Sequence, residues 1–382
     1  MQADLQRGRR TREKIVHLTS AHIRSDGRIF EKECRSLLSA GYDVELVVAD
    51  GLGNGCLQGV AVHDVGRPKS RVARMTTTQF AIYRCAMRID ADLYHFHDPE
   101  LIFVGCMLKA KGKLVIFDAH EMVAEQIKHR TYIPKMFRTS MALMYQVIES
   151  RLAKRFDAVV VPQEIMTDIY KKMKRTVVVE NFAIAPDGEA AYRKKDFSRL
   201  VIFHAGTNNK DRGLINICRL AAALPLGDKL ILAGKIDGSE LNDARREPGW
   251  ERIDYKGIMN YNDVSFSYRN SNVGIVLYNN IDQYRLSFAV KLFEYMSYGI
   301  PVVMPDFGEW VKFNSENNCG VCVNVTDSAE ILSVLEDWRR HPERADTLGQ
   351  NGLRAFQEKY EWRVAERKLL NLYAELLKNE RL

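Results

Sequence analysis

The sequence predicts an α/β protein with two doubly wound domains, each formed by a parallel β-sheet covered by helices. Strand-like apolar runs alternate with amphipathic helical segments along almost the whole chain, which is the pattern of such sheets. The alternation pauses once, in the polar stretch 183–199, and restarts at Leu200. A chain of 382 residues also exceeds one typical core, so we expect domains at 1–182 and 200–359 joined by a linker at 183–199.

In the first domain, short apolar runs that end in glycine or polar residues predict strands with helices between them. The strands are predicted at 14–19, 43–49, 60–65, 93–96, 113–117 and 158–161. The helices are predicted at 28–40, 71–89, 100–110 and 135–155. Asp98 precedes Pro99 at the start of one helix, where capping side chains and proline are favoured, so we expect Asp98 to be its N-cap.

The second domain repeats the same alternation without a detectable internal sequence repeat. Its strands are predicted at 200–204, 229–233, 253–255, 273–277, 300–304 and near Val321. Its helices are predicted at 213–224, 261–270, 328–339 and 342–359, and a final helix at 363–379 follows the aromatic segment 360–362. Ligands of doubly wound sheets bind at the carboxyl ends of the strands, so a cleft between two such domains is the expected site.

The segment 287–303 combines a predicted helix with a buried strand. Apolar residues recur at helical spacing from Phe288 onward, and Gly299 ends the helix. Lys291 and Glu294 lie off the apolar stripe, three positions apart, and are neighbours on another face. The N–H groups at such a helix start attract phosphate, Lys291 would reinforce that attraction, and Glu294 can accept hydrogen bonds from a ribose. The alternative is a surface ion pair on an ordinary helix.

Three polar loops of the first domain are candidates for a site. They lie at 22–28, 95–100 and 117–121. Gly27 lets the backbone approach a ligand closely, and Arg28 lies at a helix start. His120 lies between Asp118 and Glu121, and neighbouring carboxylates favour a protonated, oriented imidazole. No dense metal-ligand motif accompanies these residues, so no metal site is predicted.

A polar glycine loop at 204–213 joins a predicted strand to a helix in the second domain. It has neither the P-loop sequence nor the dinucleotide-binding sequence. Arg212, at the predicted helix start, would still bind an anion. Together with Lys291 it would place two cations near two helix N-termini, an arrangement that suits a diphosphate without a metal.

Charge and cysteine content argue against several classes of protein. The net charge of +7 is modest for the length, and the dispersed basic residues form no recognition motif, so nucleic-acid binding is disfavoured. No apolar run is long enough to cross a bilayer, and no secretion signal is recognisable. The seven scattered cysteines fit reduced thiols in the cytoplasm, and the Cys-x-x-Cys at 319–322 is interpreted as structural.

With these motifs the chain resembles the GT4 family of glycosyltransferases, which have the GT-B fold. The matching segments are 26–33, 117–121 with its Asp-Ala-His-Glu sequence, 178–181, 291–303 and 360–362. The most specific is 291–303, which begins Lys-Leu-Phe-Glu-Tyr-Met. The resemblance covers almost the whole chain. It implies two Rossmann-like domains facing each other across a cleft, with 360–382 crossing back to the first domain.

The resemblance also implies an activity and roles for individual residues. Family members transfer a sugar from a nucleotide-diphosphate donor to an acceptor such as a glycan or lipid-linked glycan, with retention of configuration and no metal or other cofactor. The implied donor-binding residues are Gly27, Gly206, Arg212, Ser287, Phe288, Ala289, Val290, Lys291 and Glu294. The implied catalytic residues are His120, Arg212 and Lys291, and those on the acceptor side are Arg28, His97, Asp118 and Glu121.

Two positions depart from the family pattern. Many relatives carry a first Glu eight positions before the second, where this sequence has Leu286. Many also carry Arg directly after the glycine of the second-domain loop, where this sequence has Thr207. The first departure leaves the donor sugar to backbone groups at 287–290. The cations left for the diphosphate are Lys210, Arg212 and Lys291.

The region 128–156 mixes basic and apolar side chains, as a helix that attaches to an anionic membrane does. The alternative is a domain-covering helix with a solvated basic side. Relatives in the GT4 family often extend lipid-linked glycans at the inner face of the membrane. The resemblance therefore implies a cytoplasmic, peripheral enzyme of cell-surface polysaccharide or lipopolysaccharide assembly. Two rivals remain open: a nucleotide-sugar epimerase of the same fold, and a nucleotide-sugar-binding subunit without turnover.

Overall fold

The computed structural model describes residues 12–120, 122–129, 133–186 and 193–379. The chain divides into two compact units, Met1–Asn181 with Arg363–Leu382, and Phe182–Trp362. Each unit has its own β-sheet and its own cluster of buried apolar side chains. The α/β class predicted from the sequence is confirmed.

An eight-stranded sheet forms the centre of the first unit. Its strands are β1 (Lys14–Leu18), β2 (Asp43–Val48), β3 (Gly55–Leu57), β4 (Val60–Asp64), β5 (Leu93–Phe96), β6 (Leu114–Asp118), β7 (Ala158–Val161) and β8 (Thr176–Val178). Their order is β3-β4-β2-β1-β5-β6-β7-β8, and all neighbouring pairs are parallel except β3 with β4. Strands β5, β6 and β7 are buried along their whole length, as is typical of parallel sheets.

The helices of the first unit alternate with these strands. They are α1 (Arg35–Ser39), α2 (Arg71–Ala73), α3 (Gln79–Ile89), α4 (Ile102–Ala110), α5 (Val123–His129), α6 (Lys135–Ala153) and α7 (Thr167–Tyr170). The helix predicted over 28–40 is irregular, because Ile29–Cys34 form a π-helical turn and α1 begins only at Arg35. Such turns occur frequently at functional sites. This one buries Glu33 in the interior.

The second unit has a sheet with the strand order of a Rossmann-like domain. Its described strands are β9 (Val201–Ala205), β10 (Lys229–Ala233), β11 (Ile253–Gly257), β12 (Gly274–Ile275), β13 (Val302–Pro305) and β14 (Gly320–Val323). They form two parallel ladders, β11-β10-β9 and β12-β13-β14. A parallel bridge between Ile202 and Val273 joins the ladders. The combined order places the unit's first strand at the centre, as in dinucleotide-binding folds.

Nine further helices complete the chain. They are α8 (Leu214–Ala223), α9 (Gly238–Ala244), α10 (Tyr261–Arg269), α11 (Asp282–Leu286), α12 (Val290–Ser297), α13 (Glu309–Asn317), α14 (Ser328–Arg340), α15 (Pro342–Ala355) and α16 (Trp362–Asn379), counted over the described residues. From Arg363 onward α16 belongs to the first unit. Its Tyr373 hydroxyl lies 2.7 Å from His95 Nδ1, and Lys368 donates to Glu180. None of the helices in the described residues is both long and apolar enough to cross a bilayer.

The stretch 183–199, predicted as a linker, belongs to the second unit where the structure describes it. Ala183 pairs with Glu361 in a parallel bridge, and Phe197 lies in the apolar core of the second unit. The side chain of Asn272 donates to the backbone oxygens of Asp196 and Arg199. The described parts of this polar, irregular stretch are therefore packed against the second unit and do not form a free linker.

Candidate active site

The loop before α12 differs from the sequence prediction. A helix is predicted from Ser287, but Ser287 is extended and α12 begins at Val290. The Ser287 hydroxyl donates to Gln283 O, and the ring of Phe288 packs against Trp310 and Phe313. The apolar residues keep helical spacing through this stretch, but the packing of the Phe288 ring keeps Phe288 out of the helix.

Lys291 lies in the first turn of α12 and is only 5% exposed. The sequence placed it off the apolar face beside Glu294, and its burial is therefore a correction. Its Nζ lies 2.5 Å from His204 Nε2 and 5.5 Å from the centre of the Tyr278 ring. Burial and the neighbouring Arg212 lower the pKa of Lys291 well below its ordinary value. A bound anion would relieve both effects by supplying negative charge to the buried ammonium group.

His204, on β9, fixes the position of this lysine. Its Nδ1 lies 3.1 Å from Ile275 O, so Nδ1 carries the proton and donates to the carbonyl. Nε2 is then an acceptor for the Lys291 amino group. Burial and Lys291 lower the pKa of His204 well below its ordinary value, which keeps the ring neutral. His204 therefore orients a cation without adding a second charge.

Arg212 supplies a second cation beside the glycine loop. Its Nε donates to the Tyr284 hydroxyl at 3.2 Å, and its Nη1 donates to Thr207 O at 3.4 Å. It precedes Gly213, whose positive φ of 81° opens α8. A Cβ at Gly213 would lie 1.9 Å from Leu277 O, so this turn requires glycine.

Gly206 brings the two cations and the loop together. Its φ of 127° favours glycine, and a Cβ there would lie 3.5 Å from Lys291 Nζ. Asn208 holds the loop by donating to Gly206 O and Ala233 O. Gly206, Arg212 and Lys291, which are far apart in the sequence, therefore converge at the carboxyl end of β9.

Glu294, one turn further along α12, is held by a buried tyrosine. The hydroxyl of Tyr268 donates to Glu294 Oε2 at 2.5 Å. Burial and Glu294 raise the pKa of Tyr268, so the phenol keeps its proton and remains a donor. With Oε2 engaged in this way, Oε1 is left as an acceptor for a ligand hydroxyl.

The site residues predicted in the first unit cluster around one buried ion pair. Arg28 binds Asp118 through two hydrogen bonds, of 2.8 and 3.1 Å, and a third goes to Val179 O. His97 Nδ1 lies 2.9 Å from Asp118 Oδ2. Burial opposes ionisation of Asp118, but Arg28 and His97 outweigh it and hold the pKa of this carboxyl well below its usual range. The ion pair of Arg28 and Asp118 therefore anchors the start of the loop that follows β6.

His120 lies on that loop, with Nδ1 3.7 Å from Asp118 Oδ2 and its ring 5.3 Å from the ring of His22. Glu121, predicted on the acceptor side, lies outside the described residues. A Cβ at Gly27 would meet none of the described atoms within 4 Å, so the backbone there is open to a ligand.

Asp98 occupies the N-cap position of the turn Pro99–Leu101, as predicted, but its side chain does not cap that turn. Its carboxylate makes no capping hydrogen bond to the turn that follows. Instead Asp98 Oδ2 accepts from the Thr19 hydroxyl at 2.8 Å and from Ser20 N at 2.5 Å. Asp98 therefore fixes the loop after β1, because these long-range donors compete successfully with the local cap.

Comparison with known proteins assigns the family. The chain matches the model of Glycosyltransferase Family 4 over residues 27–183 and the model described as glycosyl transferase-like over residues 216–371. The chain belongs to the GT4-type glycosyltransferases. No curated protein matched the sequence.

Solved structures show the GT-B fold of this GT4-type chain. Sucrose-phosphate synthase from Thermosynechococcus elongatus is 16% identical with a TM-score of 0.75, covering 96% of this chain and 100% of that one. Anabaena HepE in complex with UDP-glucose is 14% identical with a TM-score of 0.70, covering 95% and 99%. WaaG, a glycosyltransferase involved in lipopolysaccharide biosynthesis, is 13% identical with a TM-score of 0.68, covering 93% and 98%.

Several residues that organise the GT4-type site had no role in the sequence prediction. His204 and Tyr268 hold the two predicted site residues of α12, His17 and Glu33 lie beside His97, and Tyr373 contacts His17 and His95. One signal was available for the histidines, because alternate residues of a strand share a face and His95 and His97 are two apart. No local pattern marks Tyr268, which is 26 positions from Glu294.

Proposed function

We propose that the protein transfers a sugar from a nucleotide-diphosphate donor to a glycan or lipid-linked acceptor, with retention of configuration and without a metal ion at the diphosphate. One observation carries this proposal: Lys291 and Arg212 converge beside Gly206 at the N-terminus of α12. Lys291 is buried, no carboxylate of the described residues bonds its amino group, and it lies next to an arginine and a glycine turn, an arrangement that suits a multiply charged anion.

The charges fit the bond that has to break. When the sugar–phosphate bond opens, its electron pair stays on the diphosphate oxygen, and the sugar gains oxocarbenium character. Lys291, Arg212 and the first N–H groups of α12 stabilise the negative charge that develops on the leaving group. Glu294, positioned by Tyr268, accepts from the ribose hydroxyls and fixes the donor in register. Leu286 has no carboxylate to contact the donor sugar. We therefore expect the backbone groups of Ser287, Ala289 and Val290 to make this contact.

The choice of donor can be tested directly. HepE is known in complex with UDP-glucose, and also with UDP, which supports a uridine donor as the first candidate. A thermal-shift panel of UDP-, GDP-, ADP- and dTDP-sugars compares the bases, because a ligand that binds the native state raises the unfolding temperature. Incubation with the best donor alone then separates transfer from epimerisation, since an epimerase changes the sugar without an acceptor.

Removal of either cation tests the proposed chemistry. We expect Lys291→Ala and Arg212→Ala each to lower turnover at saturating donor by about 100-fold or more, because each removes a preorganised stabiliser of the leaving group. Lys210→Ala is the matched control, since this lysine is in the same loop but exposed, and its effect should be small. Near-normal turnover in both variants of the buried cations would contradict the proposal. The anomeric configuration of the product, read by NMR, tests retention.

The first unit also supports attachment to an anionic membrane. Along α6, exposed apolar side chains form a continuous surface, which we call the α6 patch. It consists of Met136, Phe137, Met141, Leu143, Met144, Val147 and Ile148. Exposed Lys135 adjoins it, and Arg151 follows in the last turn. Basic side chains beside an exposed apolar face are typical of helices that lie in a lipid interface. Residues 130–132 of the predicted region 128–156 lie outside the described residues.

Vesicle co-sedimentation tests this attachment. We expect the protein to bind vesicles that contain anionic lipid and to bind phosphatidylcholine vesicles much less. Met144→Asp should weaken binding severalfold, because it puts an uncompensated charge on the apolar face. Leu226→Asp is the control, because Leu226 is also exposed but lies in the second unit. Equal binding to both lipids, or equal loss in both variants, would exclude the α6 patch as the attachment site.

A further inference from the structure

We propose that the first unit binds one divalent transition-metal ion, preferably Zn²⁺, between His17, Glu33, His95 and His97. The four side chains are fully buried, and their ligand atoms lie within 4.8 Å of one another. This set lies in the first unit, whereas the proposed diphosphate site lies in the second. The proposed ion therefore has a structural role and does not rest on the proposed function.

The fold collects these residues from three elements. His17 on β1 and His95 on β5 are direct partners in the parallel ladder. His97 lies two positions beyond His95, so it shares the same face of the sheet. Glu33 comes from the π-helical turn Ile29–Cys34, which packs over that face. The separations along the chain explain why no ligand motif is visible in the sequence.

The distances between the possible ligand atoms suit a tetrahedral ion. His17 Nδ1 lies 2.8 Å from His97 Nε2. Glu33 Oε2 lies 3.5 Å from His95 Nδ1 and 4.0 Å from both His17 Nδ1 and His97 Nε2. Zinc bonds of about 2.0–2.1 Å at tetrahedral angles separate neighbouring ligand atoms by about 3.4 Å. These four distances lie on both sides of this value, and the other two pairs lie within 4.8 Å, so shifts of about 1.5 Å or less would complete the coordination.

Unsatisfied polar atoms point to a ligand at the same place. Both carboxylate oxygens of Glu33 are buried without a hydrogen-bond partner among the described residues. Arg28 lies 3.2 Å from Glu33 Oε1 but gives its hydrogen bonds to Asp118 and Val179. The guanidinium of Arg28 therefore lies next to two buried carboxylates, those of Glu33 and Asp118. Because buried polar groups without partners are costly, a cation bound to Glu33 would stabilise the native state.

The outer contacts of the histidines have the form found around protein-bound metals. His97 presents Nδ1 to the Asp118 carboxylate, which leaves Nε2 on the side of His17. The Tyr373 hydroxyl lies 3.3 Å from His17 Nε2, the ring nitrogen opposite the Nδ1 that faces His97, whereas its 2.7 Å contact with His95 Nδ1 would be replaced by the ion. Metal-binding imidazoles usually bond a carboxylate or other polar group through the second ring nitrogen, which orients the ring. A Tyr373 contact from α16 would thus couple the end of the chain to the site.

A second possible group, His97 with Asp118 and His120, is less suitable. It provides only three ligands, and Asp118 is already bound through both oxygens by Arg28. The set of His17, Glu33, His95 and His97 has four ligands, and its carboxylate makes no hydrogen bond among the described residues. Three imidazoles with one carboxylate form a donor set that zinc accepts readily.

Metal content decides the proposal. The full chain, prepared without a histidine tag and grown with added zinc, should retain about one ion per chain by plasma mass spectrometry. Reconstitution with Co²⁺ after chelation should give the intense visible absorption of tetrahedral cobalt. Chelator should lower the temperature at which the first unit unfolds, and zinc should restore it, because an ion bound only in the native state stabilises that state.

Variants identify the ligands. Glu33→Gln and His95→Asn should reduce the bound metal at least tenfold, whereas His120→Asn and His63→Asn should retain it. The first control separates the two candidate groups, and the second removes a histidine of the same unit that contacts Glu45. If Glu33→Gln does not fold, the cobalt spectrum and the chelator experiment on the unmodified chain still decide. Less than about 0.1 ion per chain, no cobalt spectrum and an unchanged unfolding temperature would show that the His17–His97 pair merely shares a proton.

Discussion

Lys291 carries its amino group at a place where an isolated charge is disfavoured. Among the described residues, four titratable side chains lie near this amino group: His204 on β9, Tyr278, Arg212 beside the glycine loop, and Glu294 one turn along α12. Burial and Arg212 lower the pKa of Lys291, while Glu294 partly opposes them. The residue is therefore poised to take up a proton when a diphosphate arrives.

Proton uptake on nucleotide binding is the expected consequence. In the ligand-free protein the pKa of Lys291 is lowered, and a bound diphosphate raises it again. At any pH between the two values, binding takes up a proton, so affinity falls as the pH rises from the lower value to the upper one and levels off above it. Calorimetry with UDP in buffers of different ionisation enthalpy measures this uptake. Lys291→Arg is the control, because its guanidinium stays protonated and should abolish the buffer dependence. Equal uptake in both proteins would assign the proton to another group.

Substitution of Tyr268 tests whether donor binding by Glu294 depends on the tyrosine hydroxyl. Tyr268→Phe removes the hydroxyl that donates to Glu294 Oε2. We expect donor affinity to fall about fivefold to tenfold, as for a hydrogen bond of about 1–1.5 kcal/mol. Tyr298→Phe is a matched control, since Tyr298 stacks on Tyr268 but its hydroxyl bonds Ser265. In a Glu294→Gln background, the donor affinities of Tyr268→Phe and Tyr298→Phe should differ less. Equal donor affinities of these two variants when Glu294 is present would contradict the proposed role of the Tyr268 hydroxyl.

At the residue scale, the sequence pointed to candidate site residues that converge in the structure, but not to the residues that hold them. Lys291 and Glu294 belong to a specific motif, and Arg212 lies in a recognisable loop. His204 is 87 positions from Lys291, so their contact depends on the pairing of distant strands. The burial of Lys291 was missed for the same reason, because helical periodicity does not reveal what lies opposite each face.

At the scale of single elements, the start of α12 shows where periodicity fails. Apolar spacing predicted a helix from Ser287, but Phe288 instead joins the rings of Trp310 and Phe313. Tertiary packing thus overrides a local pattern. The shift has a functional consequence, because it puts the helix N-terminus beside Lys291 rather than three residues earlier.

Phe288→Ala therefore tests packing rather than ligand contact. The ring is partly buried, so its truncation should cost about 2–3 kcal/mol, less than for a fully buried phenylalanine. The midpoint of urea unfolding of the second unit measures this loss. Phe80→Ala is the control, because Phe80 is exposed and should change little. In the folded fraction, donor affinity should fall by less than about threefold, and a larger fall without loss of stability would place the ring in the donor site.

At the scale of the whole molecule, the alternation of strands and helices predicted both sheets and the change from one unit to the next. Periodicity repeats many times in each sheet, so individual errors at element ends do not alter the class. It could not predict that the described parts of this stretch, 183–186 and 193–199, pack on the second unit, since that depends on contacts such as Phe197 in the distant core. The return of α16 to the first unit came from the family resemblance rather than from the helix pattern.

The separate apolar cores of the two units predict how the chain unfolds. Each unit has a separate apolar core, and α16 adds buried Leu369 and Tyr373 to the first unit. Scanning calorimetry should therefore show two transitions. A saturating uridine nucleotide should raise only the transition of the second unit, which holds the proposed diphosphate site, because a ligand stabilises the state that binds it.

Leu369→Asp should lower the other transition alone by several degrees, since it buries an unpaired carboxylate in the first unit. Arg367→Asp is the matched control, because the same charge is introduced on the exposed side of the same helix. Nucleotide affinity should survive in the Leu369→Asp protein below its first transition. If the nucleotide and the α16 substitution shift one common transition instead, the two cores unfold as a single cooperative unit.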